Sequence, residues 1–262
     1  MKNLFIILFS GAIFFSCSKT IHKNLSEESD SLKTQTRFVT DSVIVEDSLM
    51  LSKNIKAVFS KQLPVFLSIQ NKEILDSIYS FADIPTQKYD RNSLKNVLTQ
   101  QIKQDLQTTK KEAQNILPDY EQTWDKNFLM KAFSYNQDIL TVQYSESGYA
   151  GGAHGYYTEK YKTFDLKNNT VISQNEIFKN PKDPIWNKIL DEHFTDQDQR
   201  EMLLAEKIEL NNNFYFDNQK ITFVYEQYEI TAYAAGVVEI SMNFNEIKNQ
   251  LKPEFLEKYN IK

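Results

Sequence analysis

Cysteine, histidine, glycine and long apolar runs are all scarce in this sequence, and each shortage removes a class of protein. A single cysteine, Cys17, has no partner for an internal disulfide and cannot by itself build a cysteine-based metal site. Three histidines without His-Glu-x-x-His spacing make no zinc centre. No apolar run reaches the roughly 20 residues that a spanning helix needs. Lys and Arg number 30 against 35 Asp and Glu, a formal charge of -5, so the basic surplus that a nucleic-acid partner calls for is missing. No Gly-x-Ser-x-Gly nucleophile motif occurs. What is present is ordinary for a folded body: 262 residues, 41% hydrophobic and 25% charged, enough chain for one large domain or two small ones. No cofactor and no metal are expected.

The lone cysteine sits where it is most informative. Met1-Lys2-Asn3 precedes an apolar run from Leu4 to Phe15, and Ser16-Cys17-Ser18 follows. This is the layout of a secretory signal with a small residue before the cut. A cysteine directly after that residue resembles the lipobox of bacterial lipoproteins, in which the thiol is acylated, although Phe14-Phe15-Ser16 is looser than the usual Leu-Ala-Gly type. The expectation is a signal peptide over residues 1–16, a lipidated Cys17, and a polar tether over residues 17–37. The chain would then work outside the cytoplasm, anchored to a bacterial membrane (the outer one) through acylated Cys17.

Two further segments are expected, a strand–helix sub-domain over residues 38–120 and a C-terminal domain over residues 121–262. β-Branched runs between Phe38 and Phe66 predict two or three strands ending near Pro64. Asn71 opens a short helix with Ile74, Leu75, Ile78 and Phe81 at helical spacing. A longer helix from Asp90–Ser93 carries Leu94, Val97, Leu98, Ile102, Leu106, Ala113 and Leu117, and ends at Pro118. Leu140, Val142 and Tyr144 alternate with Thr141, Gln143 and Ser145, as in a half-buried strand. Tyr157 to Leu166 is a further strand. Asp183-Pro184 starts a helix burying Ile185, Trp186, Ile189 and Leu190, and Thr195 to Asp198 caps another through Met202 to Ala205. Phe214 to Tyr225 reads as a hairpin, Val238 to Phe244 as a last strand, and Asn245 as the start of a terminal helix. Strands and helices are segregated, so the predicted class is α+β: a mainly antiparallel sheet with helices packed on one side, two sub-domains in one compact body.

Of only six glycines, four lie in Gly148-Tyr149-Ala150-Gly151-Gly152-Ala153-His154-Gly155, between two expected strands. Glycine permits positive φ and close backbone approach. A second unusual segment, Gln227-Tyr228-Glu229-Ile230-Thr231-Ala232-Tyr233-Ala234-Ala235-Gly236, also separates two strands. Each permits close packing and is flanked by tyrosines, so the two are expected side by side at one end of the C-terminal sheet.

Tyr149 to His154, the Tyr157 to Leu166 strand with its turn, and Tyr228-Glu229-Ile230 through Tyr233-Ala234-Ala235-Gly236 resemble the RsiV-like and PdaC-like family of extracytoplasmic domains of unknown function. The specific matches cover about Leu140 to Leu251. In that family one domain is the outer part of an anti-sigma factor and binds lysozyme, another lies beside the catalytic domain of a peptidoglycan deacetylase, and others stand alone in lipoproteins. This chain departs from the pattern at Gly155, Gln227 and Ala232, where proline is often found. It carries neither the sigma-binding segment nor the deacetylase domain, so those activities do not transfer. The resemblance implies the fold, an envelope location, and a glycan, peptidoglycan or lysozyme-like protein as partner.

Candidate ligand-binding residues are Tyr149, Gly151, Gly152, His154, Tyr228, Glu229 and Tyr233. Tyrosine combines a flat apolar face with a hydroxyl edge, which suits sugar stacking and protein interfaces. His154 and Glu229 are expected to be tied inside the loops and Tyr149 to be exposed. The main expectation is a non-enzymatic binding module with no catalytic residue. The alternatives are a cell-wall hydrolase or deacetylase-type enzyme, with His154 and Glu229 or Asp165 as acid and base, and a structural envelope lipoprotein. Asp165 to Glu176 has the outline of a calcium loop, but Lys167 and Thr170 at its third and sixth positions defeat the coordination.

Overall fold

The computed structural model describes residues 40–84, 86–136 and 138–261. The expected signal peptide and tether, with Cys17, lie outside the described residues. The β-branched runs after Phe38 become two long strands, β1 (Thr40–Ser52) and β2 (Ile55–Phe66), joined through Lys53-Asn54. Pro64, which has no N–H to donate, lies in β2 beyond the part that pairs with a third strand.

Two helices follow and cover one face of the sheet. α1 (Lys72–Tyr79) is capped by Asn71, whose side chain accepts from the Ile74 N–H. α2 (Arg91–Glu112) is capped by Asp90, which accepts from the Ser93 N–H. Leu94, Leu98, Ile102 and Leu106 recur every four residues along α2 and are all buried. They pack with Ile74 and Ile78 against Ala57, Leu63, Met130 and Val142 of the sheet. The helix is shorter than its apolar pattern suggests: a tight turn at Ala113–Asn115 ends it, and Leu117 is 77% exposed. Pro118 disfavours helical backbone at the residue before it.

The helical crossover returns the chain parallel to β2 as β3 (Gln122–Asn136), and β4 (Ile139–Tyr149), β5 (Tyr156–Asp165) and β6 (Thr170–Ile172) add antiparallel neighbours. The result is one six-stranded sheet in sequence order, which crosses residue 120. β4 differs from its expected half-buried pattern, because Thr141 and Gln143 are buried as well as Leu140, Val142 and Tyr144. Thr141 shares a hydrogen bond with Thr163, and the Gln143 amide donates to the Tyr161 hydroxyl at 3.0 Å. Those polar residues face a buried hydrogen-bonded layer instead of water.

A second body of core follows. α3 (Gln174–Ile177) begins with a Ser173/Glu176 capping box, and α4 (Ile185–His193) starts where the Asp183 side chain accepts from the Ile185 N–H. α5 (Gln197–Arg200) is a single turn capped by Asp196. The expected continuation to Ala205 fails because the Leu204 and Ala205 N–H groups donate to Ile230 instead. β7 (Phe214–Phe216), β8 (Lys220–Tyr225) and β9 (Val238–Asn243) form a separate antiparallel sheet. Trp186, Leu190 and Phe194 pack with Phe214, Phe223 and Ile240 to make its core. The terminal helix α6 (Pro253–Lys258) begins at Pro253 and not at Asn245. A bridge between Phe178 and Leu251 and a bond from the Lys252 N–H to Ile177 hold the intervening chain in irregular form. The class is α+β with a mainly antiparallel six-stranded sheet and a small second sheet.

Candidate functional site

The glycine-rich loop links β4 to β5 of the large sheet, whereas the second loop links β8 to β9 of the small one. They meet across the junction of two sheets, in place of the single C-terminal sheet expected. The Tyr233 hydroxyl donates to the Gly155 carbonyl at 2.9 Å, and the Tyr157 N–H donates to the Gln227 side-chain carbonyl at 3.1 Å.

Two glycines make the first loop possible by leaving room for other backbone. A Cβ on Gly148 would stand 2.5 Å from the Asp125 carbonyl oxygen, and one on Gly155 would stand 2.6 Å from that of Gly148. Gly151 packs over the Trp124 ring, and Gly152 is exposed. Tyr149 is half-buried and donates to the Gly152 carbonyl at 3.1 Å. His154 is exposed, and its Nδ1 donates to the adjacent Gly155 carbonyl at 2.8 Å. Its ring stacks on Tyr233 at 3.9 Å between centroids, and Tyr233 lies 5.7 Å from the Tyr228 ring.

Tyr228 is 60% exposed and sits at φ 66°, a left-handed backbone that few non-glycine residues adopt. The turn beneath it is held by Glu229, which accepts from the Glu226 N–H at 2.8 Å and from the Asn211 amide at 2.9 Å. Glu229 is thus internally bonded, as expected, yet exposed to solvent. The low exposure expected of His154 and Glu229 does not hold, because the loops meet edge to edge at the surface and no element lies over them.

Asparagines 211–213, which sequence reasoning passed over, join the two sheets. Asn213 accepts from the Tyr161 N–H at 2.7 Å and donates to the Glu159 carbonyl at 2.7 Å, so one side chain stands in for a neighbouring strand at the edge of β5. Asn211 donates to Val224 in β8 as well as to Glu229. The signal was available: three amides in a row directly before an aromatic strand.

The tyrosines of β5 stay neutral donors. Burial raises the Tyr157 hydroxyl to about 12, helped by its bond to Glu159, and burial also raises Tyr156 and Tyr161. Asp165 lies at the far end of β5 from His154, buried, and bonded to Lys258, Asn168 and Tyr259. That pairing cannot form an acid–base couple. Among the described residues, no three His, Cys, Asp or Glu side chains gather as a metal site, and no helix is long and apolar enough to cross a membrane.

A groove of about 570 Å³ adjoins Tyr228. Lys160 and Lys162 of β5 line it together with Phe81, Asn211 and Glu226.

Comparison with known proteins identifies relatives of the same shape. Residues 166–245 match a family model described as a protein of unknown function (DUF3298), a span that takes in Tyr228, Glu229 and Tyr233. No curated protein matches. The crystal structure of a DUF3298 family member from Bacteroides fragilis NCTC 9343 is similar at 22% identity and a TM-score of 0.65, over 85% of this chain and 96% of that one. A DUF3298 family protein from Pseudomonas aeruginosa PAO1 is similar at 16% identity and a TM-score of 0.59, over 84% and 96%. At these identities the likeness is one of fold: the chain folds as these two proteins do and carries a DUF3298-matching segment within that fold.

Proposed function

We propose that this chain is a non-enzymatic binding module of the bacterial cell envelope, anchored through acylated Cys17 and recognising a glycan, peptidoglycan or a lysozyme-like protein. The observation that carries the reading is Tyr228. An aromatic ring 60% exposed, on backbone that disfavours it, sits over a turn held by the Glu229 carboxylate and lies tilted against Tyr233, on which His154 stacks. Strained backbone of this kind concentrates at ligand clamps, where surrounding structure stabilises it. The resemblance of both loops to lysozyme-binding and deacetylase-associated domains supports the envelope partner.

The test is titration calorimetry of the full chain in detergent with muropeptides and with lysozyme in parallel. One of the two should bind, and Tyr228→Ala should weaken that binding by about 2 kcal/mol, the scale of an aromatic contact hot spot. Heats indistinguishable from dilution for both ligands would reject this function.

A further inference from the structure

The groove beside Tyr228 holds two groups that the protein leaves short of partners. The first is Glu226. Its Oε2 forms an ion pair with the Lys160 ammonium at 3.8 Å, too long for a hydrogen bond, and its Oε1 is enclosed with no hydrogen-bond partner among the described residues. A carboxylate in that condition is costly, since an unsatisfied charged acceptor forfeits more than a neutral one. The terminal torsion of a glutamate is broad, so a small rotation turns either oxygen toward the groove.

The second is Lys162. Its ammonium rests 3.8 Å from the centroid of the Phe81 ring, and among the described residues no carboxylate pairs with it. Burial pulls this lysine below its ordinary range, as follows for a cation removed from water without an anion to neutralise it. The ring face beneath supplies only part of that compensation. The groove therefore offers an acceptor lacking donors, a cation lacking an anion, and an exposed tyrosine face at its margin, in a volume typical of small-ligand sites, ~300–1,000 Å³.

We propose that this groove binds a carboxylate-bearing saccharide, with its carboxylate on Lys162, its hydroxyl or amide donors on Glu226, and a sugar ring face on Tyr228. A neutral sugar leaves Lys162 unpaired, and an acidic peptide brings no sugar ring to the tyrosine face. The assignment rests on the binding-module reading and narrows it to one ligand chemistry and one set of residues.

The experiment is calorimetry of the full chain in detergent with three probes. They are a hyaluronan tetrasaccharide, which carries glucuronate, chitotetraose as its neutral counterpart, and tetraglutamate as an anion without sugar. The acidic tetrasaccharide should bind at least about tenfold more tightly than chitotetraose, and tetraglutamate should give no heat. Lys162→Met, which keeps the stem over Phe81, should erase that preference, and Lys162→Arg should retain it. Glu226→Gln should weaken both sugars, with thermal melting confirming that each variant is folded. Equal affinity for the two sugars, binding of tetraglutamate, a preference that survives Lys162→Met, or no binding of any probe would each overturn the groove assignment. Binding of muropeptides or lysozyme that these substitutions leave unchanged would also overturn it, while leaving the broader binding function standing.

Discussion

Tyr228 occupies a conformation that costs an L-residue roughly 1–2 kcal/mol. Replacing a packed aromatic residue by a small one ordinarily removes ~3–5 kcal/mol of stability. Here most of the ring faces solvent and glycine relieves the backbone, so Tyr228→Gly should stay within about 1 kcal/mol of the parent in denaturant unfolding while binding weakens. A loss on the ordinary aromatic scale would mean that the residue serves the fold. The sequence makes this residue visible as a tyrosine within an unusual segment, but not its backbone. Nothing local demands φ 66° at a tyrosine. That geometry comes from Glu229 and from Asn211, which is distant in sequence. His154 shows the same limit: its place in a glycine-rich loop was legible, and its exposure depended on where the second sheet stops.

Elements with local signals are legible in the sequence, and those shaped by distant chain are not. α1 and α2 begin where Asn71 and Asp90 can cap them, and the buried stripe of α2 follows its four-residue repeat. Period-two alternation marked β4 as a strand, yet its polar face proved buried, because alternation reports one apolar face and says nothing of what covers the other. α6 begins eight residues after Asn245, since the bridge from Leu251 to Phe178 that delays it joins residues far apart. This last helix is fastened to the large sheet by Asp165. Burial alone would raise that carboxyl, but bonds from Lys258, Asn168 and Tyr259 outweigh it and hold the pKa at about 2, against an ordinary 3.8. The folded state thus binds this proton less readily than the unfolded chain. Its contribution, roughly 2 kcal/mol, is complete above the unfolded value and is lost as pH falls from about 4 through 2. Asp165→Asn should lower stability at neutral pH and flatten the acid limb in that window. An acid limb unchanged in urea melts across that window would show that the Lys258 contact does not hold α6.

At the scale of the whole molecule, two sheets with separate cores are stitched by side-chain amides at one edge, and the stitched edge carries the aromatic loops. The proposed binding function includes a membrane anchor. If Cys17 is the acylated residue, intact mass of the mature chain should show loss of Met1 to Ser16 and a gain of acyl chains. Cys17→Ser should leave an unprocessed or soluble chain, and a normally processed, membrane-bound serine variant would exclude the anchor. In the proposed function, the junction of the two loops is the surface that meets the partner. Hydrogen–deuterium exchange of the full chain, with and without whichever of muropeptide or lysozyme binds, tests it most directly. Slowed exchange is expected in residues 148–162 and 226–236, with the helical face over α1 and α2 unchanged. Protection confined to that helical face, or to the far end of β5 around Asp165, would contradict it.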